Sequence, residues 1–409
     1  MIAVRETLPS GRFSMARRFP SLGGPGPVIA VFLCGVFAFL DLYATQPLLP
    51  LFARVFHASK AQVGFTISAS TFGVALSAPL LGIFAESLSR RRVILVSLFA
   101  LIVPTMLAGT AHTLGQLVFW RFLQGIVIPG IFAMTITYIT EQWAADSVAL
   151  VMSVYVSGSA LGGFLGRLVT GLAADHLRWQ TSFVILGSFT LVGALAVARW
   201  LPPEKELSRP FSLTRESRLL PMFKHLANAQ VMATCWAGFN VLFSLVAVFT
   251  YATFYLVAPP FSVSITTLSY LFVVYLVGLV ATPAAGVLLP RIGLRAGMVA
   301  ANLLSLAGVV HQLPVVVLGL AFMCTGVFIS QACATSYLRE ATPSGGRAAA
   351  IGLYVCCYYI GGTMGGVLPS YAWKLGGWPA CVLFVAIVQC ITIAVALLGW
   401  RPVIEERAA

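Results

Sequence analysis

Twelve apolar runs, each about as long as a helix needs to be to cross a bilayer, decide what this chain can fold into. They lie near residues 28–50, 62–86, 93–111, 115–141, 147–174 and 179–200, and again near 228–258, 265–289, 296–311, 314–340, 346–373 and 378–399. A hydrocarbon core of about 30 Å takes about 20 residues of α-helix. Inside it, a lone segment satisfies its backbone N–H and C=O groups only by coiling into a helix. The chain is 59% hydrophobic and 9% charged, with mean hydropathy +0.95. A soluble domain carries about a quarter charged residues, so this chain lacks a surface for water. The expectation is an all-α integral membrane protein with twelve transmembrane helices.

A formal net charge of +13 over 409 residues raises the question of nucleic acid, and the placement of the cations answers it. Nineteen of the 25 Lys and Arg fall in the N-terminal tail, every second loop and the C-terminal tail, among them Arg90, Arg91 and Arg92, the group Lys205 to Lys224, Arg291, Arg295, Arg339 and Arg347. The alternate loops hold Arg54, Lys60, Arg178 and Lys374. That asymmetry is the positive-inside pattern, which places both termini in the cytoplasm. No continuous basic face with base-reading residues is present, so nucleic acid is not an expected partner. The eight cysteines lie in apolar runs without C-x-x-C spacing or His neighbours, and read as small buried hydrophobes, with no metal or cofactor expected.

The two sets of six runs are copies. Tyr138-Ile139-Thr140-Glu141 returns as Tyr337-Leu338-Arg339-Glu340, Tyr155 as Tyr354, Gly162-Gly163 as Gly361-Gly362, Gly166 as Gly365 and Trp179 as Trp378, always 199 residues on. Two parallel repeats of six spans imply two pseudo-symmetric six-helix bundles related by an axis along the membrane normal, with a site between them near mid-depth. The boundaries follow: a cytoplasmic tail 1–27, a first bundle 28–200, a cytoplasmic linker 201–227 that holds Pro202, Pro203 and Pro210, a second bundle 228–400 and a tail 401–409.

With these residues the chain resembles the major facilitator superfamily (MFS) from about residue 28 to 400, and within it the twelve-helix bacterial drug/proton antiporter-like branch. The loop after the second span, Gly82-Ile-Phe-Ala-Glu86-Ser-Leu-Ser-Arg90-Arg91-Arg92, is similar to the family's G-x-x-x-D-R-x-G-R-R loop, with Glu86 for the acid and serines for the inner Arg and Gly. A degenerate copy runs from Gly286 to Arg295. The resemblance implies a cytoplasmic gate built from Gly82, Glu86, Arg90 and Arg91. Arg121-Phe-Leu-Gln124-Gly125 matches the R-x-x-Q-G motif of proton-coupled members. Gly158, Gly162, Gly163 and Gly166 resemble the antiporter motif G-x-x-x-G-P-x-x-G-G, with Gly163 at its proline and Arg167 at its last glycine. Glycines at such spacing let helices approach closely whether or not they serve coupling.

Among the twelve acids, Asp41 alone sits well inside an apolar run. A charge at bilayer depth costs at least about 2.5–3.5 kcal/mol on insertion scales, and usually faces a cavity and has a function. Asp41, Arg121 and Arg167 fall at similar depth in the first bundle at about 1.5 Å per residue, close enough to meet. Asp41 fits three roles: a protonation switch beside Arg121, a permanent ion pair with Arg121 that fixes helix packing, or a substrate contact. Arg167 either holds an anionic substrate or reaches along its stem to the interface.

Further candidates for the cavity wall are Tyr43, Gln46, Gln124, Tyr138, Tyr155, Asn240, Gln331, Tyr354 and Tyr358. Each also suits a plain helix–helix hydrogen bond. No motif of an intramembrane enzyme is present. The sequence thus predicts a monomeric, multi-pass bacterial inner-membrane transporter that works by alternating access on a small-molecule substrate with protons as partner. Its leading mode is proton-coupled efflux by antiport. The alternative is a proton-coupled uptake symporter for a small organic anion.

Overall fold

The computed structural model describes residues 24–84, 89–204, 225–307, 313–342 and 347–400. Among these, ten helices are long and apolar enough to cross a membrane, and Gly26–Leu40 and Leu294–Leu306 are shorter apolar helices. Together they occupy the twelve expected positions.

Where a span starts, the sequence supplies a side chain to take up free N–H groups. Ser89 accepts from Arg92 N ahead of span 3, Thr113 forms a capping box with Gln116 ahead of span 4, and Asn228 accepts from Gln230 and Val231 ahead of span 7. Span 5 is one helix, Ala145–His176, and span 6 follows as Trp179–Trp200. Spans 11 and 12 repeat that turn differently. Arg347–Val367 is followed by Pro369–Gly399, which kinks at Gly376 and Gly377. Gly377 has φ 63°, a conformation that glycine enters freely.

Span 1 is broken, which the apolar run 28–50 did not announce. Helix Gly26–Leu40 gives way to a turn over 41–45, a 3-10 segment Gln46–Leu48 and a second helix Leu49–Val55. The cause is Pro47, which has no N–H for the carbonyl four residues back. Gln46 N bonds Tyr43 O at 3.1 Å instead, so the helix tightens and the carbonyl of Leu42 is left for another partner. Span 4 also divides, Leu114–Val127 and Pro129–Gln142, at Pro129. Span 8 runs Ile265–Leu271, a 3-10 stretch Phe272–Val277, and Gly278–Ile292.

Glycines carry a close helix crossing at the same place in each bundle. A Cβ on Gly158, Gly162 or Gly166 would stand 2.3, 2.1 or 1.8 Å from the carbonyl oxygens of Phe32, Val36 and Leu40, so span 5 lies directly on span 1. In the second bundle Gly361 and Gly365 stand the same way against Phe239 and Phe243 of span 7, at 2.1 and 2.6 Å. Gly163, grouped with the packing glycines from its motif, packs on no helix. The nearest atom to its Cβ position is Arg167 Nη1 at 3.4 Å.

Among the described residues the bundles meet from mid-depth to the end opposite the arginine-rich loops. There a Cβ on Gly64 of span 2 would be 2.2 Å from the carbonyl of Gly366 on span 11, and one on Gly171 of span 5 would be 1.6 Å from Ser269 Oγ on span 8. Ser68 Oγ donates to Thr363 O at 2.6 Å, Thr71 and Thr363 share a hydroxyl contact of 3.1 Å, and Thr266 donates to Asp175 at 2.6 Å. Lys60 lies 5.5 and 5.0 Å from the ring centres of Phe254 and Trp373 across the same seam. Large apolar side chains such as Val96, Val192, Val280 and Leu398 point outward from both bundles, as a lipid-facing belt does.

Candidate functional site

The break in span 1 creates the first polar centre. Arg121 on span 4 is fully buried, and its guanidinium fills the break. Nη1 donates to the carbonyl of Asp41 at 2.7 Å, Nη2 to the freed carbonyl of Leu42, and Nε to Thr66 O on span 2 at 3.0 Å. Ser70 Oγ and Gln124 Oε1 take further N–H bonds, at 3.1 and 2.5 Å. One cation thereby satisfies main-chain acceptors of two helices. The Asp41–Arg121 ion pair, one of the three roles open to Asp41, does not form here: the arginine binds the main chain of Asp41, not its carboxylate.

That carboxylate, with Asp41 also 0% exposed, points the other way. Oδ1 accepts from Thr105 Oγ1 of span 3 at 3.2 Å and Oδ2 from Thr190 Oγ1 of span 6 at 3.3 Å. Gln124 Nε2 donates to the same Thr105 hydroxyl at 2.8 Å. A continuous path therefore runs Arg121–Gln124–Thr105–Asp41, in which one amide and one hydroxyl join the two charged groups. Thr66, Ser70, Thr105 and Thr190 were not singled out in the sequence, because a lone Ser or Thr in an apolar run is too common to signal a role.

Arg167 forms a separate centre at the inner end of a cavity of about 460 Å³ between the bundles. It is 0% exposed. Nε donates to Gln46 Oε1 at 2.7 Å and Nη1 to Gly163 O at 2.5 Å. Nη2 has no partner. Three rings face the guanidinium, with centres 4.8 Å away at Tyr43, 4.9 Å at Phe272 and 4.2 Å at Tyr275. Such cation–π contacts are worth about 0.5–2 kcal/mol each, whereas an unmet buried donor costs about 1–3 kcal/mol and more when charged. The 3-10 stretch of span 8 brings Phe272 and Tyr275 to this place, and the sequence reading named neither.

The cavity widens from Arg167 toward Leu338, Arg339 and Ile351 at the arginine-rich end. Of the candidates, Tyr43, Tyr155, Arg167, Gln331, Tyr354 and Tyr358 line it, joined by Tyr275 and Tyr359. The others lie elsewhere. Gln46 sits behind Arg167 and donates to Thr250 Oγ1 of span 7 at 3.4 Å, a bond between bundles. Gln124 belongs to the Arg121 network. Tyr138 donates to Pro202 O at 2.8 Å. Asn240 is held in a helix–helix network, donating to Asn302 at 3.1 Å and accepting from Ser244 at 2.9 Å.

Of the gate residues, Glu86 lies outside the described residues and Gly82 is in the last turn of span 2 (Lys60–Phe84). Arg90 pairs with Glu141 of span 4 at 2.9 Å, a partner not foreseen. Arg91 donates to Leu201 O and Ala198 O at 2.7 and 3.0 Å, while its main-chain N bonds Glu204 at 2.8 Å. These bonds all remain on the first bundle's side.

The Major Facilitator Superfamily model matches residues 31–261 and 257–409. A transporter of Buchnera aphidicola is 26% identical over 374 residues, covering 90% of each chain. Inner membrane transport protein YnfM of Escherichia coli is 27% identical over 372 residues, covering 90% of this chain and 88% of its own. A solved mutant of the nucleoside transporter NupG superposes with TM-score 0.76 at 14% identity, covering 91% of this chain and 100% of the other.

Proposed function

This chain belongs to the major facilitator superfamily, and on that premise we propose that it exports a small amphipathic organic molecule by proton-coupled alternating access, with Asp41 as the proton carrier. Membership makes it a multi-pass membrane transporter and not an enzyme. The observation that carries the reading is the cavity between the bundles: among the described residues their close contacts gather toward one end, while the cavity wall reaches Leu338 and Arg339 toward the other, as in one state of a rocking pair. With the arginine-rich end in the cytoplasm, the state is open inward and the cargo is loaded from inside a bacterial cell.

Asp41 supports the coupling. Its carboxylate rests on two hydroxyls that join span 1 to spans 3 and 6, so gain or loss of one proton changes bonds among three helices. A charge change at a buried joint is a way to bias one bundle arrangement over another. The loop at Arg90 and Arg91 would serve as the gate in the opposite state, where its end closes. A second reading, coupled uptake of an organic anion, draws on the unpartnered Nη2 of Arg167.

The test is proton flux in vesicles of reconstituted protein under an imposed pH gradient. Wild type is expected to discharge the gradient when cargo is added, with protons moving opposite to it. Asp41→Asn is expected to insert normally and leave the gradient intact. Coupled flux that persists in Asp41→Asn removes Asp41 as carrier. Protons travelling with organic acids, and with nothing else, give the second reading.

A further inference from the structure

We propose that Arg167, framed by Tyr43 and Tyr275, is the head of the cargo site, and that the cargo is a small organic monoanion whose apolar or aromatic body lies along the tyrosine-lined wall. The inference rests on the transport reading above and names its substrate class; it holds for either direction of movement.

Four observations converge on it. First, Arg167 is wholly buried, lines the cavity, and keeps Nη2 without a partner. An arginine that only fixed packing would spend its donors on the protein, as Arg121 does with five bonds to oxygen. Second, among the described residues no carboxylate is paired with Arg167. The residues that line the cavity include no Asp or Glu, and the Asp41 carboxylate is engaged with Thr105 and Thr190. A cationic cargo would enter against like charge, while a carboxylate or sulfonate would supply the missing acceptor.

Third, Nε and Nη1 are already fixed by Gln46 and Gly163, so the guanidinium is pre-set with Nη2 left for an incoming oxygen. Three rings hold its plane in place. Fourth, the rest of the wall is aromatic and aliphatic, with Phe39, Phe132, Tyr155 and Leu245 among its residues. A hydrated inorganic anion gains nothing from such a wall, whereas an aryl or alkyl body does. Tyr354 Oη, buried in the same wall and also without a partner, offers one hydrogen bond to a polar group farther along the cargo.

Purified full-length protein in nanodiscs would be scanned for thermal stabilisation and binding by matched probes: benzoate and octanoate, their alcohol and amine counterparts, and sodium chloride alone. The expected result is stabilisation by at least one of the two carboxylates, none by its alcohol or amine, and binding weakened at least about tenfold in Arg167→Gln, the loss expected for one charge-assisted hydrogen bond. Arg167→Lys should retain part of the affinity. Carboxylate binding as tight in a folded Arg167→Gln as in wild type would mark a packing arginine and overturn the proposal.

Stabilisation by amines as strong as by carboxylates, an effect reproduced by chloride, or no effect of any probe would each overturn it too. The same probes in the pH-gradient vesicles keep the two readings apart. Cargo-driven flux with neutral or cationic compounds and no carboxylate binding leaves transport standing and removes this site. Carboxylate binding lost in Arg167→Gln, with no flux for any compound, leaves the site standing and removes the transport reading.

Discussion

Nη1 of Arg121 donates to the main-chain carbonyl of Asp41 at 2.7 Å, while the carboxylate of the same residue accepts from Thr105 of span 3 and Thr190 of span 6. The two charges are thus coupled through a helix break rather than through an ion pair. Separating the jobs has a mechanical consequence. The arginine holds the main chain of span 1 open, and a change of charge on the acid would break no bond to a guanidinium.

Arg121→Lys is accordingly expected to be nearly as damaging as Arg121→Ala. The guanidinium reaches Thr66, Asp41 and Leu42 carbonyls from three different nitrogens, and an ammonium is a single point that cannot span them. Either substitution leaves buried carbonyls unmet, each worth about 1–3 kcal/mol, so a loss on the order of 3 kcal/mol is expected for both. Melting curves of the purified variants check this. A lysine variant as stable as wild type would mean that charge alone is what the site needs.

The glycines of span 5 separate into two kinds. Gly166 would place a Cβ 1.8 Å from Leu40 O, a main-chain atom that cannot swing aside, so Gly166→Ala must push span 5 off span 1. Overpacking of that sort costs about 1–3 kcal/mol. Gly163 has only Arg167 Nη1 near its Cβ position, at 3.4 Å, so Gly163→Ala should leave the melting temperature within a degree or two and act, if at all, on cargo affinity. Equal melting temperatures for the two variants would undo the distinction.

The spans and the repeat could be read in the sequence because bilayer thickness fixes run length and a doubled bundle fixes an offset. Which face of a span looks into the cavity could not. In a soluble helix polarity marks the outside, but here both lipid and bundle interior are apolar, and a polar residue marks only a place away from lipid. Gln124, Tyr138 and Asn240 therefore looked like Tyr155 and Tyr354, although Gln124 and Asn240 turn into helix–helix contacts and Tyr138 bonds the carbonyl of Pro202 beyond span 6. Arg121 posed a harder problem, since two of its acceptors are carbonyls at the break in span 1. Pro47 was a visible signal, but the partner it frees lies 79 residues away in the chain.

The closed seam makes a last prediction about states. Gly64 and Gly366 let spans 2 and 11 touch main chain to main chain, and a Cβ at Gly64 would fall 2.2 Å from the Gly366 carbonyl. Gly64→Ala must therefore part the spans at that end, weakening the Ser68–Thr363 bond of 2.6 Å and shifting the population toward the opposite opening. The shift needs only a difference in fit between two states, since a few kcal/mol separates a minor from a major population. A cysteine pair, Ser68→Cys with Thr363→Cys, reports it: crosslinking should be efficient with Gly64 present and fall several-fold with alanine there. Transport should slow as well, because an alternating-access transporter held open at one end cannot complete its cycle. Undiminished crosslinking in the Gly64→Ala background would mean the seam tolerates the methyl group, and that closure is set by other contacts.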